Sequence, residues 1–96
     1  MTTAVWKFTL EFGDSPEIEM PRGARPIHAD VNAEAGRVIV WAVVDPTAPL
    51  VKREFVMRGT GHPLPDVGAH VATVQDGPFV WHIFNAPSMA DLLGFL

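Results

Sequence analysis

The longest unbroken apolar stretch of the chain lies near its middle, in the sequence RVIVWAVVDP. The seven residues from Val38 to Val44 suit a β-strand in length, and five of them are β-branched, which favours a strand. Successive side chains of a strand point to opposite faces. One face therefore carries Val38, Val40, Ala42 and Val44, and the other carries Ile39, Trp41 and Val43. A strand that is apolar on both faces is either covered on both sides or contributes one face to a partner.

Shorter segments with alternating apolar and polar residues lie on both sides of this strand, and turn-forming sequences separate them every ~8–12 residues. The clearest alternation runs from Ala4 to Phe12. Further strands are expected over 17–20, 27–31, 51–59, 69–75 and 79–84. The pattern predicts an all-β, mainly antiparallel fold, namely a small β-sandwich or partly open barrel of about six or seven short strands.

Two hairpins follow from the turn sequences. The first joins 27–31 to 37–44 and places Val31 opposite Val38 and Ile27 opposite Ala42. The second joins 69–75 to 79–84, places His82 opposite Ala72, and puts His70 on the same face as His82. The 17–20 segment is expected to pair with the first strand. The predicted core comprises Trp6, Phe8, Leu10, Val40, Ala42, Phe55, Val71, Trp81 and Ile83.

The last residues follow a different pattern. Ser88 is suited to cap a helix, because Asp91 lies three residues further on. Met89, Leu92, Leu93 and Leu96 then recur at helical spacing. The sequence therefore predicts a single β-domain over 1–84, followed over 85–96 by a tail that forms a short helix.

Composition limits the classes of partner. The 96 residues suit one domain, and the net charge is −4 with the seven basic residues scattered along the chain. Nucleic-acid binding usually needs a basic stripe, so we do not expect a nucleic-acid partner. There is no cysteine, and the N-terminus lacks the pattern of a signal peptide. A cytoplasmic protein without a membrane partner is expected.

The four histidines, His28, His62, His70 and His82, raise the question of a metal. A catalytic zinc site needs three converging protein ligands, and the histidine spacing matches no metal-binding motif. We therefore predict no metal site. A metal-dependent enzyme that uses His70 and His82 with one further ligand remains the alternative from another functional class.

Other chemistry has little support in the sequence. The only serines, Ser15 and Ser88, each lie beside a proline and outside any nucleophile motif. The Gly59-Thr60-Gly61 segment lacks the third glycine of a dinucleotide-binding fingerprint. We predict no catalytic residue, no cofactor and no small-molecule substrate, and therefore a non-enzymatic protein.

A protein-binding role rests on apolar residues in two places. Trp41 lies on a strand face that also carries His28 and Asp30, and tryptophan is enriched in binding hot spots. The apolar tail could also dock in a groove of another protein. Its sequence Met89-Ala90-Asp91-Leu92-Leu93 is similar to the short peptides that bind bacterial sliding clamps. The predicted partner-binding residues are Ile39, Trp41, Val43, Met89, Leu92, Leu93 and Phe95. A homodimer is left open.

Several motifs together resemble a family of small proteins from actinobacterial phages of the mycobacteriophage type and from their hosts. The matching motifs are Val5-Trp6-Lys7-Phe8, Met20-Pro21-Arg22-Gly23-Ala24, Trp41-Ala42-Val43-Val44-Asp45-Pro46, Gly59-Thr60-Gly61-His62-Pro63-Leu64-Pro65 and Val80-Trp81-His82-Ile83-Phe84. The resemblance covers about residues 4–84 and implies phage origin but no chemistry. Together with the apolar surfaces, it suggests a protein that engages a host bacterial protein, for host takeover or superinfection exclusion.

Overall fold

The computed structural model describes residues 2–88, which form seven β-strands and no helix. The prediction of an all-β, antiparallel fold is confirmed. The strands are β1 (Ala4–Glu11), β2 (Glu17–Pro21), β3 (Arg25–Asn32), β4 (Arg37–Val44), β5 (Leu50–Gly59), β6 (His70–Asp76) and β7 (Phe79–Asn85).

The strands form two separate sheets, so the fold is a sandwich and not a closed barrel. The three-stranded sheet has the order β1-β4-β3, and the four-stranded sheet has the order β2-β5-β7-β6. All neighbouring strands are antiparallel. The expectation that the 17–20 segment pairs with β1 is wrong, because β2 pairs with β5 in the other sheet.

The core lies between the two sheets and takes one side of each strand. From the three-stranded sheet it receives Leu10, Ala29, Val31, Val38, Val40, Ala42 and Val44. From the four-stranded sheet it receives Met20, Phe55, Met57, Ala72, Val74 and Ile83. The whole even-numbered side of β4 is therefore buried, as its alternation predicts.

Two polar contacts join parts of the sandwich at its opposite ends. Asp76 accepts a hydrogen bond from the amide of Ala33 at 2.9 Å, and this links the turns of the two hairpins. Arg53 donates to the carbonyl of Ala24 at 2.8 Å and to the side-chain oxygen of Asn85 at 2.9 Å. Burial lowers the pKa of the Arg53 guanidinium, and these two hydrogen bonds offset part of the desolvation cost.

Two residues are exposed against expectation: Trp6, which was predicted to be in the core, and Ile27, which was predicted to lie opposite the buried Ala42. Trp6 lies on the core side of β1 but at the edge of its sheet, and 38% of its surface is exposed. Ile27 is 45% exposed, because a β-bulge between Pro26 and His28 removes it from its expected place opposite Ala42. Phe8, Val71 and Trp81 are only partly buried.

The predicted C-terminal helix, with Met89, Leu92 and Leu93, lies outside the described residues. The last of the described residues leave the four-stranded sheet, where the amide of Ala86 donates to the carbonyl of Glu54 at 2.9 Å. Over residues 2–88 the structure has no helix that is long and apolar enough to cross a membrane.

Core burial makes a quantitative prediction about two phenylalanines. Phe55 is 1% exposed and Phe79 is 59% exposed, so they form a matched pair of the same residue type. Phe55→Ala should lower the free energy of unfolding by ~3–5 kcal/mol, because it leaves a cavity in the core. Phe79→Ala should lower it by about 1 kcal/mol or less. Chemical denaturation measures both, and equal losses would contradict the core described above.

Candidate protein-binding face and histidine cluster

The odd-numbered side of β4 forms the centre of the outer surface of the three-stranded sheet. Ile39, Trp41 and Val43 lie there in a row, and each is partly exposed. We call this row, with its cross-strand neighbours Val5 on β1 and His28 on β3, the β4 outer face. The sequence prediction that Ile39, Trp41 and Val43 share one face is confirmed, while their role in binding stays a prediction.

Trp41 is held in position by its neighbour on β3. His28 lies directly opposite Trp41, and the two rings stack with centroids 5.8 Å apart and planes 23° apart. This pairing follows from the register that runs unbroken from the Asn32–Arg37 pair at the turn, and the bulge at Ile27 begins just beyond it. The stack restricts the orientation of the indole and leaves part of its surface in solvent.

Charged residues surround the apolar row. Lys7 lies opposite Trp41 on β1, and Arg25 lies opposite Val43 on β3. Asp30 lies opposite Ile39, and its carboxylate accepts a hydrogen bond from the amide of Val31 at 2.9 Å. An apolar centre with a polar rim is the usual anatomy of a protein–protein interface.

The other predicted binding residues, Met89, Leu92, Leu93 and Phe95, lie outside the described residues. The other two tryptophans occupy different places. Trp6 lies at the β1 edge, and Trp81 packs edge-on against Phe12 with ring centroids 5.0 Å apart. Among the three tryptophans, only Trp41 lies on a central strand of its sheet and points away from the core.

The outer side of the four-stranded sheet carries a connected cluster of histidines and threonines. A hydrogen bond of 2.9 Å joins His70 Nε2 to the Thr73 hydroxyl, and one of 3.1 Å joins that hydroxyl to His82 Nδ1. The other ring nitrogen of His82, Nε2, lies 2.7 Å from the Thr60 hydroxyl. The prediction that His70 and His82 lie on one face is confirmed.

The register that brings these rings together differs from the expected one. Thr73, and not Ala72, lies opposite His82. A bulge between His70 and Ala72 then returns His70 to the same face as His82. Sequence reasoning missed Thr73 because the register error placed it on the other face, and no sequence signal connected Thr60 of the β5–β6 connection with His82.

Two members of the cluster, Thr60 and His82, line a cleft of about 160 Å³ together with residues of the β5–β6 connection. His62 and Leu64 come from this connection, and Arg58 and Phe84 come from the sheet. Leu64 therefore lies near Phe84 and His82 on the outer side of this sheet, where Val56, the cross-strand neighbour of Phe84, is buried. Gly61 has a φ of 89°, a conformation that favours glycine at this turn.

The hydrogen bonds of the cluster and the small number of metal-binding side chains limit the chemistry that it can perform. Both ring nitrogens of His82 are engaged by threonine hydroxyls, so a metal at His82 would have to displace one of them. Residues 2–88 contain no group of three histidine, cysteine, aspartate or glutamate side chains that could hold a metal ion. His28 stacks on Trp41 and does not contribute to the cluster.

NMR can test whether the Thr73 hydroxyl bridges the two histidine rings. Thr73→Val should change the ring-nitrogen chemical shifts of both His70 and His82, because both rings contact this hydroxyl. Thr60→Val, the matched control, should change those of His82 alone. A Thr73→Val spectrum in which only one ring responds would show that the hydroxyl does not bridge the two.

Comparison with known proteins identifies a family without a known activity. The domain of unknown function DUF7352 matches residues 1–92, which includes part of the tail that the sequence resemblance left out. No curated protein and no solved structure matches the chain. Because the match spans nearly all of the sequence, the chain belongs to the family of the domain of unknown function DUF7352.

Proposed function

We propose that this protein is a non-enzymatic protein-binding domain and that the β4 outer face is its contact surface. The observation that carries the proposal is the position of Trp41. It is a partly exposed tryptophan on the central strand of its sheet, oriented by its stack on His28. Large aromatic side chains of this kind anchor many protein interfaces.

The surroundings of Trp41 support the same function. Ile39 and Val43 extend the apolar surface on both sides of the indole along the strand. Lys7, Arg25 and Asp30 border it with charges of both signs. A partner with a matching apolar centre would bury the indole, and its rim charges would set the orientation of the complex.

The nature of the partner is inferred from the family resemblance seen in the sequence. We infer that the protein is phage-encoded and acts in the cytoplasm of its host bacterium. There it would engage a host protein and inhibit or redirect it, as host takeover or superinfection exclusion requires. A role as an inhibitor of the host sliding clamp would use the tail, whose binding residues lie outside the described part of the chain.

The rival function is a metal-dependent enzyme at the histidine cluster, and the convergence of His70 and His82 on Thr73 favours it. Elemental analysis of the protein, purified without a histidine tag, distinguishes the two functions. We expect less than one zinc or manganese ion per chain. Stoichiometric, tightly bound metal that is lost in His82→Ala would support the enzyme instead.

The binding proposal predicts the effect of removing the indole. Trp41→Ala should weaken binding of a partner isolated from an actinobacterial host lysate by about 30-fold or more, as expected for a hot-spot residue. Phe79→Ala is the matched control, because Phe79 is an exposed aromatic residue of the other sheet. Calorimetry measures the affinity, and circular dichroism shows that each variant is folded.

A second variant shows whether the sheet or the tail binds the partner. A chain truncated after Ser88 retains all seven strands and lacks Met89, Leu92, Leu93 and Phe95. Loss of binding in this variant alone would assign the interface to the tail. Unchanged affinity in both the Trp41→Ala variant and the truncated chain would contradict the proposal and direct attention to the loop from Gly59 to Asp66.

A further inference from the structure

Strand β1 is an edge of the three-stranded sheet and pairs only with β4 among the described strands. Beyond its last pair, the amide of Phe12 donates to the carbonyl of Gly36 at 3.0 Å. Hydrogen-bonded pairs alternate along an antiparallel ladder, so the even-numbered residues of β1 bond to β4. The amides and carbonyls of Val5, Lys7, Thr9 and Glu11 therefore point away from β4, towards the open edge.

The other three edges have features that oppose the addition of a strand. β2 has only five residues, two of them glutamates, and ends at Pro21. β3 contains Pro26 and a bulge, and β6 contains a bulge after His70. β1 has eight residues in an unbroken register without proline. Regular, unprotected edges are the ones to which further strands add.

Two apolar side chains along this edge are exposed to solvent. Val5 is 56% exposed on the outer side, and Trp6 is 38% exposed although it points to the core side. A strand added to β1 would lie beside both side chains, one on each face of the extended sheet. Exposed apolar residues beside free backbone groups point to a β-strand as the missing neighbour.

We propose that this neighbour is β1 of a second copy, paired antiparallel about a two-fold axis at Thr9. In this register Lys7 of each copy lies opposite Glu11 of the other, so the outer face gains two pairs of opposite charge. On the core side, Phe8 lies opposite Leu10 and Trp6 lies opposite Phe12. A lysine within an edge strand normally opposes pairing, and here each lysine meets a glutamate.

The dimer has a geometric consequence for the surface described above. The two three-stranded sheets join into one sheet of the order β3-β4-β1-β1-β4-β3. The two-fold axis is perpendicular to that sheet, so both β4 outer faces lie on the same side. This inference rests on the β1 edge. It shares Val5 and Lys7 with the β4 outer face and its rim, but it does not involve Trp41, which lies on the central strand.

A charge swap tests the pairing directly. In analytical ultracentrifugation, the mass of the wild-type chain should rise from the monomer value of 10.5 kDa towards twice that value as the concentration rises from about 5 μM to about 500 μM. Lys7→Glu and Glu11→Lys should each weaken the dimer by about tenfold or more, because like charges then face each other twice. The Lys7→Glu/Glu11→Lys double variant should recover the wild-type dissociation constant to within about threefold. Glu34→Lys, an exposed change in the β3–β4 turn, is the control for net charge.

A proline substitution in β1 gives a second test of the pairing between the two copies. Thr9→Pro removes an amide that faces the open edge and does not bond to β4, so it should give a folded monomer. The near-ultraviolet circular dichroism of the three tryptophans checks the fold. Trp41→Ala should leave the dimer intact. A chain that is monomeric at every concentration would overturn the proposal, and so would a dimer that resists both Thr9→Pro and the single charge reversals.

Discussion

Strand β4 has apolar side chains on both of its faces and lies between the other two strands of its sheet, and the rest of the structure depends on this arrangement. Its even-numbered side packs against the four-stranded sheet and supplies Val38, Val40, Ala42 and Val44 to the core. The seven described strands are all used in two layers, so none of them forms a third layer over the odd-numbered side. Burying large apolar side chains is favourable by ~1.5–3 kcal/mol each, which makes this side a suitable surface for a partner.

The two outer surfaces of the sandwich differ in the residues that they present. The long β5–β6 connection places Leu64 at the outer side of the four-stranded sheet, where it lines a cleft with Phe84 and His82. The connections of the three-stranded sheet are short turns, and its surface presents Trp41 on a stack with His28. The β4 outer face is therefore the proposed contact surface, and the histidine cluster on the other sheet is the site of the rival function.

The sequence allowed the strands to be placed because their alternation is strong. The pairing of Val31 with Val38, and the side of β4 that is buried, followed from this alternation and from the turn before Arg37. The errors arose where the chain departs from a regular ladder or where burial depends on distant segments. A bulge turned Ile27 outward, an edge position left Trp6 exposed, and a register shift of one residue hid Thr73 beside His82. Alternation alone contains no information about which strand forms an edge, so the pairing of β2 with β5 could not be predicted from it.

The central claim is that the two sides of β4 have different tasks, and methyl NMR of the complex tests it most directly. Ile39 and Val43 lie on the outer side, whereas Val40 and Val44 are 0% and 1% exposed in the core. On titration with the partner protein, the methyl signals of Ile39 and Val43 should shift or broaden, and those of Val40 and Val44 should stay almost unchanged. Methyl signals on both sides that respond equally, or core methyls that respond more, would contradict the account.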